Sequence, residues 1–141
     1  HVVNIASAAG KLGPPYMSSY ATSKHGLVGF TQSLGCEYRG SGVGFSVICP
    51  AFVTKAGMYA RWEDSGIRSG KLAGTCTPEQ VVRATLKCIR TGKPEVTINT
   101  PPVRPFIVLG NLAPRVVAPL FRIVGFERTL ARAADLNESA S

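Results

Sequence analysis

The N-terminal third of the chain combines an apolar run, a long segment of helical spacing and a second apolar run, an order that leaves few folds open. Residues 1–6 are typical of a short buried strand, and residues 43–49 of a second strand rich in β-branched side chains. Residues 18–38 between them predict a helix, with Ser18 or Ser19 at its N-cap. A strand, a crossover helix and a strand form a βαβ unit, so we predict an α/β protein with parallel strands.

The following segments predict a second helix and a further strand. Thr77 stands before Pro78 as a helix N-cap, and Gly92 ends the helix. Residues 94–100 alternate in polarity and predict a strand at the edge of the sheet. Residues 61–74 are polar and glycine-dotted, which predicts a mobile or short-helical segment. The apolar stripe of the second helix consists of Val82, Leu86 and Ile89.

Three side chains near the first strand form a candidate catalytic group. Tyr20 and Lys24 stand four residues apart, so they lie on one face of the predicted helix. We expect the ammonium of Lys24 to lower the phenol pKa from its free value of about 10, which makes Tyr20 a candidate general acid or base. Ser7 follows the first strand and can hold a substrate oxygen against the phenol.

The same residues carry a family resemblance. Ser7, Tyr20 thirteen positions later and Lys24 in Tyr-Ala-Thr-Ser-Lys resemble the active-site pattern of the short-chain dehydrogenase/reductase family. Residues 4–10 are similar to that family's strand-end segment, with Ala6 where a second serine is common. The resemblance implies the C-terminal portion of a Rossmann-like, doubly wound parallel sheet. It also implies an NAD(P)-dependent oxidoreductase that interconverts an alcohol and a carbonyl.

The resemblance assigns a role to each member of the group. Tyr20 would pass the proton to or from the substrate oxygen, Lys24 would also bind the nicotinamide ribose, and Ser7 would polarise the carbonyl. The cofactor would be NAD or NADP, with the choice left open. The helix that carries Tyr20 and Lys24 is a common dimer contact in the family, which implies a homo-oligomer.

The segment after the second strand is similar to the family's cofactor loop. Pro50, Ala51 and Val53 stand where the family has Pro-Gly-x-Val, whose backbone binds the nicotinamide carboxamide. Ala51 in place of glycine predicts a turn without positive φ at that point. Lys55 occupies the position of the family's threonine, with Thr54 as the nearest hydroxyl. Lys55 would either reach a phosphate or remain exposed.

Apolar and aromatic side chains flank both motifs. Tyr16 and Met17 precede the catalytic helix, and Met58 and Tyr59 follow the cofactor loop. They either line a substrate pocket, which would favour a lipid-like, steroid-like or acyl substrate, or simply pack the loops.

The character of the sequence changes at residue 101, and this change defines two predicted regions. Residues 1–100 are expected to form the C-terminal half of an NAD(P)-binding domain, and residues 101–141 a helical tail rich in proline and arginine. The tail is too proline-broken for a transmembrane span. Three interpretations of the tail are open. It forms helices packed on the domain, a lid over the substrate, or basic amphipathic segments that touch a membrane surface or another subunit.

Composition narrows the partners. The net charge is +8, but the basic residues are spread along the chain without a nucleic-acid motif, so we expect no nucleic-acid partner. Four cysteines without Cys-x-x-Cys spacing predict neither a metal site nor a disulfide framework, and suit a reducing cytoplasm. The absence of an initiator methionine and of a glycine-rich dinucleotide motif leads us to expect the C-terminal part of a longer chain. Expressed alone, this part should be inactive and bind cofactor poorly.

A second hypothesis from another class is a non-catalytic binding or scaffold protein that keeps the fold. The intact Ser7, Tyr20 and Lys24 argue against it, whereas Ala51 and the displaced Thr54 argue weakly for it. Nicotinamide consumption with a panel of ketones separates the two. A third hypothesis, a nucleic-acid binder, predicts tight and steeply salt-dependent binding.

Overall fold

Strands and helices are interspersed along the chain up to residue 98, and the regular elements after it are helices. A computed structural model describes residues 1–70, 73–123 and 125–138. Two short 3-10 turns, Ala8–Gly10 and Pro114–Val116, accompany the regular elements. In chain order the strands and α-helices are β1 (Val2–Ile5), α1 (Ser18–Glu37), β2 (Phe45–Pro50), β3 (Phe52–Val53), α2 (Gly57–Asp64), β4 (Thr75–Cys76), α3 (Pro78–Thr91), β5 (Glu95–Ile98), α4 (Arg104–Leu112), α5 (Val117–Ile123) and α6 (Phe126–Glu138).

A three-stranded parallel sheet forms the centre of the first hundred residues. The strand order is β1-β2-β5, and both pairs are parallel. Because side chains alternate along a strand, Val47 and Cys49 of β2 pack on the α1 side with Val28, whereas Ile48 packs on the α3 side. A sheet covered by helices on both faces confirms the α/β, doubly wound prediction. The expected edge position of β5 is confirmed as well.

Helix α1 begins without the predicted serine cap. Its N-cap is Met17, which makes no side-chain cap hydrogen bond, and Ser18 is already the first helical residue. Contacts from the preceding turn position the helix instead. Gly10 lies so close to α1 that an added Cβ would stand 2.6 Å from the carbonyl oxygen of Lys24. The prediction of a serine N-cap was therefore wrong, because tertiary packing fixes this helix start.

Helix α3 shows the predicted ends, and its buried face is not the apolar stripe. The Thr77 hydroxyl accepts from the Gln80 amide and the Gln80 side chain accepts from the Thr77 amide, a complete capping box, and Gly92 ends the helix with φ of 66°. The buried residues are the small Ala84 and Cys88, which face Ile48. The apolar stripe does not pack on the sheet, since its three members are 46–56% exposed: Val82, Leu86 and Ile89.

The segment predicted as mobile or short-helical begins within a helix, and its residues 71–72 lie outside the described residues. Helix α2 covers its start, and Trp62 and Ile67 are buried in a cluster with Leu130 of α6. The short parallel pair of β3 and β4, which flanks this segment, was not predicted. Its two strands are two residues long each, too short to show a periodic pattern.

The tail folds into three helices. Ile107 of α4 and Phe121 of α5 form a buried cluster with Leu12 from the loop before α1. Among the described residues, no helix combines the length and apolarity that a membrane crossing requires. Through the cluster of Ile107, Phe121 and Leu12, the tail makes apolar contacts with the first hundred residues. Val124 and residues 139–141, which the tail prediction included, lie outside the described residues.

Candidate active site

Ser7 lies at the carboxyl end of β1, between that strand and β2. Its backbone is extended, and its hydroxyl oxygen accepts a hydrogen bond from the Ala9 amide at 3.2 Å, which caps the turn that follows. The same hydroxyl donates a longer hydrogen bond, of 3.5 Å, to the carbonyl of Pro50 at the end of β2. The side chain is thus held at the edge of the sheet where open α/β proteins bind their ligands.

Tyr20 and Lys24 lie on the first turns of α1, one turn apart. The Lys24 Nζ is 5.6 Å from the centroid of the Tyr20 ring. It also donates a hydrogen bond of 3.4 Å to the carbonyl of Ile5, the last residue of β1. The ammonium therefore lies at the phenol and at the strand end that precedes Ser7, which brings the three predicted catalytic residues to one place.

A cavity of about 380 Å³ opens at this edge of the sheet. This volume is within the usual range of small-molecule sites. The cavity is lined by residues from each predicted group: catalytic, cofactor-binding and substrate-binding. Its lining includes Ser7, Met17, Tyr20, Ala51, Val53 and Met58.

Three of the predicted site residues lie outside the lining. Lys24 contacts the ring of Tyr20 from beside the cavity, and Pro50 contributes its carbonyl to Ser7. Tyr16 is 59% exposed, has φ of 62° and borders a second, smaller cavity of about 160 Å³. Tyr20, Met17 and Met58 also line this second space.

The candidate cofactor loop is held by backbone hydrogen bonds at both ends. The Ala51 amide donates to the Ile98 carbonyl of β5, and the Thr54 amide donates to the Cys76 carbonyl of β4, each at 3.0 Å. Positive φ occurs not at Ala51 but at Lys55, with φ of 58°, so the prediction for Ala51 is confirmed. The Thr54 hydroxyl donates to the Cys76 carbonyl at 3.4 Å. Lys55 is exposed.

Most of the cavity wall is hydrocarbon, of which the sequence motifs revealed only a part. Phe52 lies within the cofactor motif, and Tyr59, a candidate lining residue from the sequence, lies on α2 with its hydroxyl bonded to Ser69. The one available signal was the abundance of phenylalanine after residue 100, which without contacts does not point to a site. The tail contributes Pro102, Val103, Phe106, Ile107, Phe121, Phe126 and Leu130.

The thiols offer no competing nucleophile or metal site at this edge. Cys49 is fully buried in β2, and burial, with the nearby carboxylate of Glu95, raises its pKa from 9.0 to about 11. Burial also raises the pKa of Cys76. Both groups are therefore neutral thiols near pH 7, and a neutral thiol is a poor nucleophile and ligand. Among the described residues, no cluster of histidine, cysteine and carboxylate side chains is arranged to hold a metal ion.

His25 follows Lys24 but has no part in the site. Its ring is exposed and its Nδ1 lies 2.9 Å from the Ala21 carbonyl.

Comparison with known proteins finds dehydrogenases and reductases. The family model of the short chain dehydrogenases matches residues 1–65. The chain is 36% identical over 129 residues to the ketoacyl reductase HetN of Nostoc sp., a match that covers 88% of this chain and 44% of that protein. It is 30% identical over 112 residues to the D-beta-hydroxybutyrate dehydrogenase of Rhizobium meliloti, covering 79% of this chain and 37% of that enzyme. The chain thus spans less than half the length of these relatives.

Solved structures agree on the fold. A short chain dehydrogenase/reductase from Burkholderia phymatum in complex with NAD superposes with a TM-score of 0.62 and 28% identity, covering 82% of this chain and 48% of that one. A variant of actinorhodin polyketide ketoreductase with NADPH gives a TM-score of 0.57 and 27% identity, covering 69% and 44%. These similarities place the sheet, its two helix layers and the site edge in a single known architecture.

Proposed function

The chain belongs to the short-chain dehydrogenase/reductase family, and from that premise we propose that the protein it forms part of is an NAD(P)-dependent oxidoreductase. It interconverts an alcohol and a carbonyl on a small, apolar substrate. The observation that supports this proposal best is the shared cavity, in which the hydroxyl-bearing Ser7 and Tyr20 lie beside the loop of Ala51 and Val53.

In the proposed reaction, Tyr20 is the general acid in the reducing direction. Its phenol donates a proton to the carbonyl oxygen as that oxygen gains negative charge, and recovers it in the oxidising direction. Ser7 donates a hydrogen bond to the same oxygen, so both partners are positioned before charge develops. The ammonium of Lys24, 5.6 Å from the ring centroid, supplies positive charge beside the phenolate that remains after transfer.

The residues at this edge fit the nicotinamide end of a dinucleotide. The backbone of the loop from Ala51 to Val53 borders the cavity and is fixed by hydrogen bonds to β4 and β5, so it offers a rigid edge to a ring amide. Lys24 is placed to hold the adjacent ribose. The cofactor, NAD or NADP, supplies or accepts the hydride. The chain's own residues align the substrate carbon and move the proton.

Replacement of the phenol tests the proposal. In the protein that contains this chain together with its dinucleotide-binding half, Tyr20→Phe should lower kcat by about a hundred- to ten-thousand-fold, because the proton donor is lost while the ring remains. Steady-state kinetics with a panel of neutral ketones, followed by nicotinamide absorbance, measures the effect. Cofactor affinity, measured by titration, should be largely unchanged.

Tyr38→Phe is the matched control, since Tyr38 ends α1 at 46% exposure and lies outside the cavity lining. It should leave kcat unchanged. Equal activity of Tyr20→Phe and the unmodified protein would rule out Tyr20 as the acid. Absence of nicotinamide turnover in the unmodified protein, with cofactor bound, would favour the non-catalytic binding protein instead.

The domain, oligomer and localisation assignments remain predictions from the sequence. We propose that residues 101–141 serve as a substrate lid, which their contribution to the cavity wall supports. A homo-oligomer through α1, a cytoplasmic location and peripheral membrane contact of the basic tail are proposed on the resemblance and composition alone.

A further inference from the structure

Five aromatic rings form a continuous chain of contacts from the cofactor loop to the tail. Phe52 of the loop stacks on Tyr59 of α2 with ring centroids 4.7 Å apart, and on Phe126 of α6 at 5.4 Å. Phe126 lies 5.4 Å from Phe121 of α5, which lies 5.5 Å from Phe106 of α4. Every one of these rings borders the large cavity. We define this set as the aromatic wall.

Phe126 is the link between the two ends of this wall. It packs against the cluster of Tyr59, Trp62 and Leu130, and also against the separate cluster of Leu12, Ile107 and Phe121. Its own side chain is half-buried and faces the cavity. A change in the size of this ring therefore changes the cavity where the two clusters meet, and reaches Phe52 directly through the stacked pair.

The chemistry of the lining restricts the occupant. Of the described residues that line the cavity, none carries a charge, so an ionised carboxylate or phosphate would be buried there without a partner. The side-chain hydroxyls in the lining belong to Ser7, Tyr20 and Tyr59, and that of Tyr59 is already hydrogen-bonded to Ser69. The lining thus offers one polar pair for a carbonyl and a hydrocarbon surface for everything else.

We propose that the aromatic wall is a length gauge for the substrate, and that Phe126 is its specificity-determining residue. The inference rests on the proposed function, in which Ser7 and Tyr20 fix the carbonyl. An unbranched apolar chain attached to that carbonyl extends along the wall, and the ring of Phe126 limits how far it reaches. The substrate class is a neutral ketone or aldehyde with a flexible hydrocarbon chain.

Two substitutions of opposite size test the gauge. Phe126→Leu enlarges the cavity and should shift the preference of kcat/KM toward longer chains, whereas Phe126→Trp should exclude long chains and retain short ones. With straight-chain methyl ketones from butanone to dodecanone, the ratio of kcat/KM for dodecanone to that for butanone should rise about tenfold in the first variant and fall about tenfold in the second. The protein containing this chain and its dinucleotide-binding half is used.

Phe45→Leu is the matched control. Phe45 begins β2, at the end of the strand away from the cavity, and forms its own aromatic pair with Tyr38 at 5.5 Å. This substitution removes a comparable half-buried ring and should leave the chain-length ratio unchanged. An identical shift in Phe45→Leu, or an unchanged ratio in both Phe126 variants, would overturn the gauge.

Binding measured without turnover separates this inference from the proposed function. Trp62 is the sole tryptophan of the chain, 1% exposed and 6.0 Å from the ring of Phe52. Its fluorescence in the chain itself, titrated with the same ketones, should show tighter binding of dodecanone in Phe126→Leu than in the unmodified chain. This order, with no ketone reduction by the protein that also contains the dinucleotide-binding half, would contradict the oxidoreductase and retain the gauge. Equal affinities with normal reduction of butanone would remove the gauge alone.

Discussion

Helices α1 and α3 cover opposite faces of the same strands and are fixed in place by different means. Helix α3 has a capping box at Thr77 and a left-handed glycine at its end, so its limits are determined within its own sequence. Helix α1 has no side-chain cap. It is held by contacts with other elements, namely the close approach of Gly10 and the hydrogen bond from Lys24 to the Ile5 carbonyl. The side-chain amide of Asn4 also donates a hydrogen bond of 2.9 Å to the Thr31 hydroxyl.

This difference matches the different roles of the two helices in the proposed reaction. There, Tyr20 and Lys24 on α1 must stand at a defined distance from Ser7, and contacts made directly with β1 and its following turn set that distance. Helix α3 contributes no residue to the cavity lining among the described residues and has only to cover the sheet. Locally encoded ends are sufficient for a covering helix, whereas a catalytic helix needs its register fixed by tertiary contacts.

The largest loss of stability that tests this comparison is expected at Gly10. Gly10→Ala would place a Cβ 2.6 Å from the carbonyl oxygen and 2.9 Å from the carbonyl carbon of Lys24, both of them backbone atoms that cannot rotate away. We expect a loss of about 3 kcal/mol in the free energy of unfolding, at the upper end of overpacking effects. Urea denaturation measures it, and ketone reduction should fall with it because α1 is displaced from Ser7.

Gly13→Ala is the control for this prediction. Nothing lies within 4 Å of a Cβ at Gly13, which belongs to the same loop. Its stability should change by less than about 0.5 kcal/mol. Equal stability of the two alanine variants would show that α1 does not depend on this contact.

Alkaline pH should weaken the α1 side of the sheet through Cys49. Its folded pKa of about 11 exceeds the value of 9.0 expected when exposed, so between these pH values the unfolded chain releases a proton that the folded chain keeps. Stability is therefore complete below pH 9 and declines as the pH rises toward 11. The decline that Cys49 contributes should amount to about 2 kcal/mol at pH 11, where half of the folded thiols are ionised, against a limit of about 1.4 kcal/mol for each pKa unit of the shift.

Urea denaturation across this pH range, with Cys49→Ala beside the unmodified chain, measures that contribution as the difference between the two slopes. Cys36→Ala, which removes an exposed thiol, is the control and should keep the steeper slope. If Cys49→Ala loses stability with pH as steeply as the unmodified chain, the buried thiol is not responsible.

The smallest expected effect sharpens the contrast between the helix starts. Thr77→Ala removes the hydroxyl that accepts from the Gln80 amide and should cost about 1 kcal/mol of unfolding free energy. Ser18→Ala at the start of α1 removes no capping bond and should cost only a few tenths of that. Thermal denaturation of both variants tests the pair, and ketone reduction should be unchanged by Thr77→Ala. A larger loss in Ser18→Ala would reverse the comparison.

What the sequence predicted depends on how local each signal is. The three strands of the main sheet, the parallel βαβ order and the ends of α3 are determined by residues within a few positions of each other, and these were predicted. The residues through which α3 packs on the sheet, Ala84 and Cys88, were not predicted because small residues carry a weak hydrophobic signal. The apolar stripe of Val82, Leu86 and Ile89 is exposed instead.

The candidate site divides in the same way. Ser7, Tyr20 and Lys24 were found because their spacing in sequence resembles a family pattern, and the structure places them at one edge. The aromatic wall was missed because it joins Phe52 to Phe126, two residues that no short-range pattern relates. Burial of hydrocarbon has no directional signature, so which phenylalanines meet is decided only when the helices of the tail pack.

The two-residue strands β3 and β4 have a consequence for how the site can change. Because the Thr54 amide is bonded to the Cys76 carbonyl, the residues between them leave and rejoin the scaffold at neighbouring points. This excursion carries Tyr59 and Trp62, yet its two ends are fixed beside the candidate cofactor loop. Under the proposed function, insertions or exchanges within it would therefore change the range of substrates and preserve the geometry of the proposed reaction.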